Sequence, residues 1–73
     1  MLLQNQLRML RRKKGLTQAE LAQAVGVTRQ SIIAIEKGKY KPTIELALKL
    51  AQTLEHPVET IFWLREPEGG VTK

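Results

Sequence analysis

The sequence predicts an all-α fold of five short helices in one compact domain, and three observations carry the prediction. Threonine occupies three N-cap positions, Thr17, Thr28 and Thr43, each directly ahead of a stretch with helical character. Apolar residues within those stretches recur every three or four positions, the spacing of a helix that buries one face. Glycine follows three of the helical stretches, at Gly15, Gly26 and Gly38. Seventy-three residues suffice for one domain with a small core, without metals or disulfides to hold it. That domain is expected over 1–64. Residues 65–73 are polar and rich in Gly and Pro, the composition of a disordered tail.

The first helix is expected from an N-cap at Asn5 to Lys14, with Leu7, Leu10 and Lys14 at i, i+3 and i+7 and Leu3 extending the stripe inward. Arg8, Arg11, Arg12, Lys13 and Lys14 crowd it, mostly in its C-terminal half, where cations favour the negative end of the helix dipole. Thr17-Gln18-Ala19-Glu20 has the form of a capping box, so a second helix begins at Gln18. Leu21, Ala22 and Val25 are its inward stripe, and Gly26 is placed to end it in a left-handed conformation. Thr28 caps a third helix with Ile32 and Ile35 turned inward, and Thr43 caps a fourth that runs through Leu54, with Glu45 favouring its dipole. In that fourth helix Ile44, Ala47, Leu50, Ala51 and Leu54 form one expected face. Leu46 and Leu48 lie off it, as candidates for a second packing surface. A fifth helix is expected over 58–64, offering Val58, Ile61 and Phe62 to the core. It leaves Trp63 and Leu64 beside them, two large apolar residues that suggest a contact beyond the monomer.

The segment that carries function is 17–37, two short helices joined by the tight turn Val25-Gly26-Val27-Thr28. This arrangement matches a helix-turn-helix, whose second helix lies in the DNA major groove with its N-terminal residues against base edges. The residue types suit that work. Arg29 can make two hydrogen bonds to guanine and Gln30 two to adenine, while the Thr28 methyl can pack on a thymine methyl. Ser31 lies close by, and Ala34 follows one turn on. Ile33, beside them, can touch a thymine methyl, pack on the neighbouring loop or stay exposed. Caps and glycines alone would also suit an ordinary helical hairpin at a bundle corner. Charge adds weight to the first reading, although a basic run by itself is more often a solvated helix surface. Of the net +5, residues 8–41 carry +7 and the chain from Pro42 onward carries −2, so the basic half surrounds the motif as on a polyanion-binding face. Gly38-Lys39-Tyr40-Lys41-Pro42 adds a loop of lysines around an aromatic ring, a composition suited to phosphate contact without sequence information.

The run LTQAELAQAVGVTRQSIIAIEKGKYKP resembles the Cro/cI-type (XRE) helix-turn-helix family, which includes lambdoid phage repressors and many small prokaryotic regulators. The similarity extends from about Asn5 to about Trp63. It implies a lambda-repressor-like five-helix domain that binds double-stranded DNA as a sequence-specific regulator, with repression the expected role. Its recognition helix would be about 29–37. The resemblance also implies that Arg11 pairs with Glu36 as a structural tie, with Arg11 a candidate phosphate contact as well. Gln18, with Thr17, is implied as a phosphate anchor, and Lys37, Lys39 and Lys41 as contacts along the backbone. Tyr40 either packs under its loop or donates its hydroxyl to DNA. The sequence departs from the family at Glu55, where Gly is frequent. A left-handed Glu there costs on the order of 1 kcal/mol. His56 departs too, and as a lone histidine it reads as structural or solvated rather than as a ligand.

One such module buries only about 600 to 1,000 Å² on DNA, so a homodimer is expected, with Leu46, Leu48, Trp63 and Leu64 as its interface. Other classes fit less well. The chain has no Asp, no Cys and one His, which leaves no catalytic constellation, metal site or cofactor site to assemble. No stretch approaches the ~20 apolar residues of a membrane span and the N-terminus lacks a signal-peptide pattern, so a cytoplasmic protein is expected. The competing functional class is an antitoxin-type module that binds an unknown protein partner as well as DNA, with the helix 5 surface as its partner site. A third reading, nonspecific binding by charge, predicts that Arg29 and Gln30 matter no more than Lys39.

Overall fold

The two ends of the described region meet. In the computed structural model, which describes residues 2–66, the N-terminal strand β1 (Leu2–Asn5) pairs antiparallel with β2 (Phe62–Arg65). Between them run α1 (Leu7–Lys13), α2 (Gln18–Val25), α3 (Arg29–Glu36), α4 (Ile44–Leu54) and the single turn α5 (Val58–Ile61). The all-α expectation is therefore corrected by a small two-stranded sheet. Its register sets Leu2 against Arg65, Leu3 against Leu64, Gln4 against Trp63 and Asn5 against Phe62. Opposed residues share a face of a sheet. Phe62 is buried and Leu3 packs on the core, so the Asn5–Phe62 end of the face they share turns inward, while Trp63 (40%) and Leu64 (61%) stay exposed.

The sequence errors at both ends come from these two strands. The fifth helix stops at Ile61 because Phe62 is already extended, φ −127° and ψ 140°, and an apolar run this short fits strand or helix equally. Trp63 and Leu64 are thus strand residues. At the other end Asn5 closes β1 instead of capping α1 from the N-cap position, which Gln6 holds. Asn5 still serves the helix. Its Oδ1 accepts from the Leu7 amide (3.0 Å), and its Nδ2 donates to the Ile35 carbonyl (3.0 Å), tying the sheet to α3. Gln6 continues the link to α5, its amide donating to the Ile61 carbonyl (3.0 Å) and its Nε2 to the Thr60 carbonyl (2.6 Å). Arg65 is the last residue of β2, and of the expected tail, residues 67–73 lie outside the described residues.

The core gathers Leu7 and Leu10 of α1, Leu21, Ala22 and Val25 of α2, Ile32 and Ile35 of α3, Leu46, Leu50 and Leu54 of α4, and Ile61 with Phe62. In α4 the buried stripe is i, i+4, i+8 from Leu46, with Ala47 and Ala51 beside it. This reverses two expectations. Leu46 is spent inside the monomer and is unavailable to a dimer interface, while Ile44, the first helical residue, is 81% exposed. Ile44 and Leu48 (53% exposed) lie one turn apart on the outer side of α4.

Candidate nucleic-acid interface

The motif is built from its caps outward. The Thr17 hydroxyl accepts from the Glu20 amide (3.0 Å) while a Glu20 carboxylate oxygen accepts from the Thr17 amide (2.8 Å), which completes the capping box of α2. At its far end Gly26 takes φ 78° and ψ 31°, where any other residue would be strained, and turns the chain towards Thr28. There the Thr28 hydroxyl accepts from the Ser31 amide (3.2 Å) and lies 3.2 Å from the Ser31 hydroxyl. Leu21, Ala22 and Val25 pack with Ile32 and Ile35 in the core, so α2 sets the angle of α3. Two short helices held this way are a helix-turn-helix.

With Ile32 and Ile35 buried, the opposite side of α3 faces solvent. Thr28, Arg29 and Gln30 are exposed, and Ser31, Ile33 and Ala34 are half-buried. The Arg29 and Gln30 side chains are free to present their paired donors and acceptors to base edges. The hydroxyls of Thr28 and Ser31 are occupied by the cap, which leaves the Thr28 methyl as its outward group. Ile33 lines a cleft with Gln18 and Lys37 rather than standing alone on the surface. Lys37, the C-cap of α3, and Lys39, Tyr40 and Lys41 of the following loop are all exposed, and Tyr40 rests over two grooves beside that loop.

Arg11 and Glu36 meet in the interior. Arg11 Nε donates to Glu36 Oε2 (2.6 Å), and Nη2 lies 3.4 Å from Oε1. Nη1 donates to the Leu16 carbonyl (2.8 Å). Both side chains are largely buried, with Arg11 at the floor of an open cleft. Three of its five N–H groups are committed, two to Glu36 of α3 and one to the turn at Leu16, so Arg11 ties α1 to both. Gln18 joins this cluster by donating from Nε2 to Glu36 Oε1 (3.1 Å), and the second N–H of that amide remains available at the N-terminus of α2. The same cleft is lined by Arg8, Arg12, Thr17 and Lys37. The first two were not among the expected DNA contacts. Their signal was present in the sequence as arginines one turn apart on α1.

The fold and its exposed face define a DNA reader of the helix-turn-helix class. The model of the family described as HTH_3, helix-turn-helix, matches residues 7–59, and the chain belongs to that family of DNA-binding transcription regulators. It is 44% identical over 64 residues to the uncharacterized HTH-type transcriptional regulator YgzD of Bacillus subtilis, covering 88% of this chain and 97% of that one. It is 57% identical over 58 residues to an uncharacterized HTH-type transcriptional regulator of Methanothermobacter thermautotrophicus, covering 77% and 83%. Among solved structures it resembles the restriction-modification controller protein C.AhdI from Aeromonas hydrophila. There the TM-score is 0.69 at 35% identity, over 74% of this chain and 78% of that one. Among the described residues no helix is long and apolar enough to cross a membrane, and no group of three or more His, Cys, Asp or Glu could hold a metal ion.

Proposed function

We propose that the protein is a sequence-specific repressor that binds a two-fold symmetric operator as a homodimer, with α3 in the major groove. One observation carries this reading: the exposed N-terminal turn of α3 presents Arg29 and Gln30 outward while Ile32 and Ile35 lock its other face into the core. Thr28, Arg29 and Gln30 read bases, with Ser31 and Ala34 shaping their approach. Thr17, Gln18, Lys37, Lys39, Tyr40 and Lys41 fix the protein on the sugar-phosphate backbone. A second copy doubles the modest contact of one module and sets the spacing of half-sites. Leu48, Trp63 and Leu64 supply apolar surface for that copy, with Ile44 taking the place of the buried Leu46. Selection of bound sequences from random DNA tests the reading. The expected winners are two-fold symmetric, with half-site centres ~34 to 36 Å apart. Enrichment of no motif at all contradicts it.

A further inference from the structure

Ile33 is a large apolar residue in the middle of the outward face of α3. It follows Arg29 by four positions and Gln30 by three, so it lies one turn below both and is a neighbour of each. The buried residues Ile32 and Ile35 hold the other side of the helix. Packing does not account for Ile33. Among the described residues, the core and the half-buried apolar side chains packed on it, such as Leu16 and Val27, do not include it. Its half-burial comes instead from polar company, since it shares a cleft with Gln18, Glu36 and Lys37. Helix propensity does not account for it either. A β-branched residue is a poorer helix former than Ala, Lys or Gln, any of which would suit a solvated position better. What remains is an aliphatic patch on a face whose other large side chains, Arg29, Gln30 and Lys37, are polar or cationic.

We propose that Ile33 is a specificity-determining residue that packs on the C5-methyl group of a thymine, the apolar group that base edges present in the major groove. The proposal rests on the DNA-binding reading above and adds a base to it: each half-site carries a thymine where the second turn of α3 meets the groove. Ala34, one turn past Gln30, has only a methyl group and lets the helix lie close there. Ile33 has no donor or acceptor, so its preference comes from the thymine methyl alone. Cytosine at the same place would set its N4 amine against an aliphatic surface, which costs a hydrogen bond to water.

The test uses the full chain on a selected site in which each thymine of a half-site is replaced in turn by deoxyuridine. That change removes the C5-methyl and leaves O4 and the base pairing in place. At one thymine the wild-type chain should lose about fourfold in affinity, the worth of one buried carbon. Ile33→Ala should bind the thymine and deoxyuridine duplexes alike at that position, so the two changes are coupled. A thymine met by Thr28 should stay equally sensitive in both chains. Ile33→Ala should keep its melting temperature, because the site lies outside the core and Ala is the better helix former. Ile33→Val, still branched, should retain part of the thymine preference. A selected half-site without thymine, or deoxyuridine losses that are the same in wild type and Ile33→Ala at every position, overturns the role of Ile33 and leaves the DNA reading intact. Enrichment of no motif overturns both.

Discussion

Glu55 sits at φ 60° and ψ 42°, the left-handed residue that ends α4 and turns the chain into Pro57. A side chain is strained there, and Glu55 offsets part of that cost by accepting from Lys14 Nζ at 2.8 Å, a link from α4 to the end of α1. The hydrogen bond from Lys14, followed by the ammonium charge itself, holds the Glu55 carboxyl below the usual carboxylate range. A lowered value means the pair contributes stability above the ordinary carboxyl range and loses it as pH falls through the lowered value. Both partners are largely solvated, so the contribution is small. The backbone strain does not titrate. Glu55→Gly should therefore raise the melting temperature more in acid than at neutral pH; an equal gain at both would remove the Lys14 pair from the explanation. Residues whose role is local were legible before the fold was known: Thr17, Thr28 and Thr43 cap from positions that sequence alone marks, and Glu55 stood where a left-handed residue was expected. Arg11 was legible only in part, because its third bond depends on where the turn after α1 places the Leu16 carbonyl.

The helix-turn-helix stays fixed to the rest of the domain through the Arg11 and Glu36 tie and through the side chain of Asn5, which bonds the Ile35 carbonyl. Removing one partner of a buried pair leaves the other charge uncompensated. Arg11→Ala should accordingly cost roughly 3 to 5 kcal/mol in chemical denaturation. Replacing both partners with Met should recover most of that loss, since no charge is then stranded. A double variant as unstable as the single one would show that the pair does more than satisfy itself. At this scale α2 and α3 were legible because caps, stripe and terminating glycine agree along 17–37. The sheet was not. β1 and β2 are four residues each at opposite ends of the chain, and the partner that makes either one a strand lies outside any local window. In α4 an excess of apolar residues hid which stripe is buried. The packing of Leu46 inward and Ile44 outward was decided by the neighbours and not by periodicity alone.

Across the whole molecule the labour is divided between a reading surface and a holding surface. The charge asymmetry, +7 over 8–41 against −2 beyond, places the attraction on the side of the chain that contains α3 and its loop. That attraction is indifferent to sequence. On the proposed reading, choice of site falls to Arg29 and Gln30, which share the exposed turn of α3 with no lysine. Ile44, Leu48, Trp63 and Leu64 stay exposed, the apolar surface that the proposed dimer would use. The most direct measurement of this account compares Arg29→Ala with Lys39→Ala on a selected operator and on a scrambled duplex. Arg29→Ala should lose about 1 to 3 kcal/mol on the operator and little on the scrambled site, collapsing the preference between them. Lys39→Ala should weaken both alike and reduce the salt slope by about 1. Equal losses on both duplexes from both variants would contradict the account and leave a protein that binds DNA by charge alone.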